Sequence, residues 1–211
     1  MTDSLFLVPL PFWMLVLAAC HFLLWLIAGD INKDQYGREQ NGIVMIWVMA
    51  HACIMTVCWI APSGLWIKCC TMMFCVFIFR LSLVDQLTGL LPREMTLSCL
   101  IGGLLFAAGI DVFPAHLAAA AIIWCVLFSW RAAGRWRQGE ETLGLGDVWI
   151  GSALGAWLGL LPALYAIALG AGGFFTWLSF SRSAGGPMGP WLGGSAMIAM
   201  IVLLFKPELM W

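Results

Sequence analysis

Gly144-Leu145-Gly146-Asp147-Val148-Trp149-Ile150-Gly151-Ser152-Ala153-Leu154-Gly155 is the stretch on which the reading of this 211-residue chain turns. An aspartate stands at the mouth of an apolar run, 148–161. A carboxylate there loses its hydration, so Asp147 is a functional residue by default and needs a partner. On a helix, Asp147, Gly151, Gly155 and Gly159 recur every four residues and share one face. That face is a flat ridge that lets a second helix approach closely in lipid. Gly144 and Gly146 let the backbone turn sharply and lie near an extended strand. The best second acid is Asp85, at the end of another apolar run, 68–84. Two carboxylates that can be brought together point to aspartic-protease chemistry.

Composition fixes the class. The chain is 63% hydrophobic and 10% charged, more apolar than a water-soluble domain of this size needs. An all-α, polytopic helical membrane protein of about eight transmembrane segments is expected, with 1–211 as a single membrane domain. The segments fall near 5–29, 42–61, 65–84, 95–110, 115–130, 147–161, 162–180 and 190–205, with a break at Leu161-Pro162. Within that domain, 1–64 forms an N-terminal helical region with a short loop, and 65–211 holds both aspartates. Leu17-Ala18-Ala19-Cys20 looks like a lipoprotein cleavage box, but no basic residue precedes it, so a retained first helix is expected.

Charge placement gives the orientation. Lys33, Arg38, Arg80, Arg93, Arg131, Arg135, Arg137 and Arg182 lie in or beside loops on one side, leaving only Lys68 and Lys206 on the other. Basic loops stay in the cytoplasm, so both termini are expected outside and both aspartates at the cytoplasmic boundary. The net charge of −1 gives no sign of a nucleic-acid partner. Gly89 and Pro92 end the helix before Asp85-Gln86-Leu87-Thr88-Gly89-Leu90-Leu91-Pro92 has run its length and turn the chain.

The eight cysteines (20, 53, 58, 69, 70, 75, 99 and 125) lie in or beside apolar runs, and none makes a Cys-x-x-Cys pair. They are expected to be packing residues, with no metal and no cofactor. His21, His51 and His116 are read the same way. Tryptophans 13, 25, 47, 59, 66, 130 and 149 fall near helix ends, where interfacial anchoring explains them.

Jointly, Asp85 with Leu91-Pro92, Gly-Leu-Gly-Asp at 144–147, Gly155 and the late Gly189-Pro190-Trp191-Leu192 resemble the type IV prepilin leader peptidases, over roughly 75–205. The resemblance implies an integral inner-membrane aspartic peptidase acting at the cytoplasmic face. It would remove the basic leader of a pilin-like precursor just before that precursor's apolar N-terminal helix. Asp85 and Asp147 correspond to the family's catalytic pair, one ionised to activate water and one protonated to polarise the scissile carbonyl. Many relatives also methylate the new N-terminus and carry two Cys-x-x-Cys pairs in the first cytoplasmic loop. Here that loop, 30–41, has no cysteine, so methylation is expected to be absent or poor. Arg93 stands where many relatives have asparagine, with a local effect expected. Two other readings compete: a different GxGD intramembrane protease, cutting within a substrate's span, or a proton-coupled carrier with the acids as a relay.

Overall fold

The computed structural model describes the chain apart from residues 1–9, 36–40, 139–142, 182–184, 207 and 209–211. The described residues form eight α-helices and no strand. They are α1 (Leu10–Gln35), α2 (Asn41–Ile60), α3 (Leu65–Thr88), α4 (Arg93–Gly109), α5 (Phe113–Gln138), α6 (Leu145–Leu158), α7 (Leu160–Ser181) and α8 (Gly189–Phe205). The protein is the expected all-α polytopic membrane type. By length and composition, four helices can each cross a bilayer, at Pro11–Ile31, Leu65–Thr88, Phe113–Arg137 and Leu160–Ser181. Val44–Ile60 and Gly189–Phe205 are shorter apolar helices.

One apolar core runs through all eight helices, from Leu24 of α1 to Leu203 of α8. Its largest fully buried side chain is Trp157 of α6, stacked on Phe106 at 5.4 Å and tilted against Phe74 at 5.1 Å. The indole N–H donates to the Cys99 carbonyl of α4 at 2.8 Å, so the ring sits in the core with its polar atom satisfied. Buried Cys58 and Cys75 also pack inside this core.

The glycine ridge of α6 meets α5. A methyl group on Gly155 would come within 3.0 Å of the Ala119 and Ala120 backbones, and Gly151 lies under Leu127 and Ile123. Ser152 completes the seam by donating to the Ala120 carbonyl at 3.0 Å. The helix that enters the groove is therefore α5, while Asp85 stands on α3. The break between α6 and α7 falls at Gly159 rather than at Leu161-Pro162. Gly159 has φ of +77°, a backbone region that glycine enters at no steric cost. Pro162 is tolerated in the first turn of α7, where its missing N–H has no helical partner to lose. At the same break His116 of α5 donates from Nδ1 to the Ala156 carbonyl at 2.8 Å, closing the C-terminal end of α6.

Several expected loops are partly helical. α1 runs to Gln35, α3 carries Asp85 inside its last turn and α5 runs to Gln138. Arg38, Glu140, Glu141 and Arg182 lie outside the described residues.

A leucine at Gly155 should hold α5 away from α6 and cost about 1–3 kcal/mol, as overpacking of a tight interior does. Thermal melting of the detergent-solubilised protein should fall for Gly155→Leu. It should stay near the parent value for Gly172→Leu, whose site has nothing within 4 Å of an added Cβ.

Candidate active site

Asp85 lies in the last turn of α3 and is 4% exposed. The helix stops just after it because Gly89 takes a left-handed φ of 67° and returns its N–H to the Asp85 carbonyl at 2.7 Å. Thr88 fixes the turn that follows: its hydroxyl donates to the Val84 carbonyl at 2.8 Å and accepts the Leu90 N–H at 3.0 Å. The Asp85 carboxylate accepts the backbone N–H of Gly189 at 2.7 Å. Gly189 opens α8, so this N–H is one of the donors a helix start leaves without an internal partner. The charge of Asp85 thus meets the positive end of the α8 dipole. A Cβ at Gly189 would lie 2.8 Å from Asp85 Oδ2, so the contact needs a residue without one. Ser82, one turn earlier on α3, donates to the Gly189 carbonyl at 3.4 Å, and Gly193 admits the Ser82 hydroxyl against α8.

Asp147 is held by its own turn. It is the third residue of α6, after the N-cap Gly144, and its backbone N–H donates to the Gly144 carbonyl at 3.2 Å. A Cβ on Gly144 would come within 2.9 Å of Asp147 Oδ2. Arg131 of α5 braces the segment from outside, donating to the Leu143 carbonyl at 2.7 Å.

The two aspartates are joined through the turn that leads to Pro92, the N-cap of α4. Leu91 packs on Gly146 so closely that a Cβ there would sit 2.5 Å from the Leu91 Cβ and 3.2 Å from its carbonyl oxygen. Arg93 places its guanidinium over the Trp149 ring at 5.8 Å, tying the first turn of α4 to α6. Trp149 is half-buried beside Trp124, at 6.0 Å between ring centroids, rather than being an interfacial anchor alone. Asp85, Pro92, Gly144, Gly146 and Asp147 therefore meet at one end of the bundle. Gly151 and Gly155 lie farther along α6, where they seat α5.

At 14 residues, α6 is about 21 Å long, short of a hydrocarbon core of roughly 30 Å. Asp147, in its first turn, lies outside the membrane-spanning segments. Burial, and then the negative charge of Asp85, pushes its carboxyl up to about 6, while the Gly144 N–H pulls the other way. The charge of Asp85 thus bears on the proton affinity of Asp147.

A family model described as the type IV leader peptidase family matches residues 72–210. The chain belongs to the type IV leader peptidase family. Its relatives include proteins named prepilin leader peptidase/N-methyltransferase. That of Pectobacterium carotovorum subsp. carotovorum is 30% identical over 192 residues, covering 85% of this chain and 66% of the relative. Those of Dickeya chrysanthemi and Escherichia coli (strain K12) are 37% and 34% identical, covering 62% and 59% of this chain and 50% and 59% of the relatives. The chain thus spans about half to two-thirds of the length of these relatives. No solved structure matches it. The match starts within α3 and takes in both aspartates.

Sequence reasoning noted Gly189-Pro190 only as part of the resemblance. A glycine and proline before an apolar run do signal a helix start. That the freed N–H reaches a carboxylate 104 residues away had no local trace. Leu91 likewise entered only through the resemblance and Arg131 only as a loop cation, because their contacts join separate helices.

The electrostatic link gives a signed expectation. Protonated carboxyls react with a hydrophobic carbodiimide, so labelling of Asp147 should fall as pH rises through about 6. Asp85→Asn removes a like charge, which favours the ionised Asp147 and moves the midpoint to lower pH. Labelling followed by mass spectrometry across a pH series checks this; an unmoved midpoint would show that the carboxyls do not sense each other.

Proposed function

We propose that this chain is an aspartic endopeptidase that removes the basic leader of type IV pilin-like precursors, with Asp85 and Asp147 as its catalytic pair. The observation that carries the reading is that the turn after Asp85 packs through Leu91 on Gly146, next to Asp147, so that two carboxyls withdrawn from water come to one end of an apolar bundle, the Asp147 carboxyl being raised by burial and by the Asp85 charge. A pair that shares a proton has the two groups that peptide hydrolysis needs. The ionised partner takes a proton from water as it attacks the scissile carbonyl, and the protonated partner stabilises the oxygen that gains charge. One member of the pair takes each role, and the apparent proton affinities belong to the pair.

The site lies at the cytoplasmic face of a bacterial inner membrane in this reading, with both termini outside. Arg80, Arg93, Arg131, Arg135 and Arg137 support that orientation, since they belong to the end of the bundle that carries the two aspartates. Water is available at that boundary and scarce in the bilayer core. The substrate is a precursor with a basic leader in the cytoplasm and an apolar helix in the bilayer, cut between the two.

Methylation of the product is absent or poor in the same reading. The link between α1 and α2 lacks cysteine, and only residues 36–40 separate the two helices. In this reading the stretch 30–41 offers too few residues to enclose a methyl-donor nucleotide.

Asp85→Asn and Asp147→Asn should each lower leader removal by at least 10²–10⁴-fold, the usual contribution of a positioned acid or base. A co-expressed precursor gives the readout as a gel shift, with membrane insertion of each variant checked in parallel. Near-normal processing by either variant would remove that residue from the mechanism. Product matured by the purified full chain, given methyl donor, should lack the added mass of about 14 Da that a methyl group brings. Full methylation by this protein alone would overturn that part of the proposal.

A further inference from the structure

A cavity of about 310 Å³ opens between α3 and α4, and the reaction as described does not use it. Its lining is Phe77, Arg80 and Leu81 of α3 with Glu94, Met95 and Ser98 of α4, and neither aspartate takes part. The cavity thus holds one cation and one anion. Among the described residues neither is joined to an opposite charge, so both are open to a ligand. Arg93, the next cation along the chain, is turned away, with its guanidinium over Trp149 of α6.

Arg80 is the more costly of the two. It stands on a membrane-crossing helix about 12 Å short of its end, at roughly 1.5 Å per residue, and it is exposed. A guanidinium at that depth needs a counter-charge, and its long stem lets the head reach toward the membrane surface. A phosphate matches it in charge and in the geometry of its donors. Glu94 lies in the first turn of α4, nearer that surface, and calls for a cation. Beside it the Ser98 hydroxyl donates to the Glu94 carbonyl at 2.7 Å, which leaves the Ser98 oxygen as an acceptor.

Beneath the charges the seam is apolar. Met73, Phe77 and Arg80 follow helical spacing on one face of α3, as Glu94, Ser98, Ile101 and Leu105 do on α4. Met73, Ile101 and Leu105 are exposed. Gly102 lets the two helices close behind them: a Cβ there would lie 3.3 Å from Phe77 and 3.5 Å from Met73. From the end of the bundle inward, the seam therefore presents an anion, then a cation, then apolar surface. An ethanolamine phospholipid is built in the complementary order, with ammonium, phosphate and acyl chain.

We infer that the α3–α4 seam binds a phosphatidylethanolamine, with its ammonium on Glu94 and its phosphate on Arg80. One acyl chain lies along Met73, Ile101 and Leu105. A phospholipid whose headgroup carries only negative charge is disfavoured, because Glu94 then meets a like charge. The bound lipid ties α3 to α4 across the turn that sets Leu91 on Gly146. The site stands on these charges and does not depend on the peptidase reading.

The test is native mass spectrometry of the full-length protein in detergent. It is given equal amounts of a phosphatidylethanolamine and a phosphatidylglycerol with the same acyl chains. The parent should retain the phosphatidylethanolamine roughly tenfold more. Glu94→Gln should lose that preference, since it removes both the partner of the ammonium and the repulsion of the anionic lipid. The preference is a ratio within one preparation, so it does not depend on how much of a variant is folded. Arg80→Gln should weaken retention of both lipids roughly tenfold, while Lys206→Gln, at the other end of the bundle, should leave it unchanged. Equal retention of the two lipids by the parent, or an undiminished preference in Glu94→Gln, overturns the site. So does a loss in Lys206→Gln as large as that in Arg80→Gln.

Discussion

A carboxylate withdrawn from water must be solvated by protein, and at Asp85 the backbone N–H of Gly189 does this at 2.7 Å. Left without such a partner, the charge would cost several kcal/mol. The contact also fixes where α8 begins, because it uses a donor that a helix start would leave open. From there α3 and α8 stay close: Ser82 reaches the Gly189 carbonyl, and Gly193 leaves room for the same hydroxyl.

Asp147 is stabilised differently. It stands in the first turn of its own helix with its carboxylate against Gly144, so its position depends on local backbone more than on a distant helix. The two arrangements meet through Leu91, whose packing on Gly146 sets the end of α3 against the start of α6. One acid anchored from afar and one anchored at home gives the pair unequal surroundings. Unequal surroundings are what separate the proton affinities of two like groups.

The helical class and all eight segments could be read from the sequence, since apolar runs of bilayer length leave few other folds. Asp85 and Asp147 stood out because an acid beside such a run is costly, and the structure brings both to one end of the bundle. The glycine spacing on α6 correctly announced a close helix contact. It could not say which helix, since a flat ridge carries no mark of its partner, and α5 filled it. The α6–α7 break was misplaced for a related reason: proline is the louder signal, yet it is harmless in a first turn, and Gly159 does the breaking. Trp157 was not singled out, because most tryptophans of this chain fit helix ends and only the packing of Phe74, Phe106 and Cys99 around it defines a core site.

The brevity of α6 bears on how the protein reaches its membrane. Its residues from Ile150 to Leu158 are buried by other helices, and the chain reverses at once into α7. A 14-residue segment flanked by an aspartate has little affinity for lipid by itself. Its last turn is closed by the Gly159 N–H on the Gly155 carbonyl and, from outside, by a histidine of α5. The segment is thus a poor independent passenger for the insertion machinery, and its burial against its neighbours is what holds it in the bundle. Formation of the end that carries the two aspartates is in this way tied to assembly of the whole.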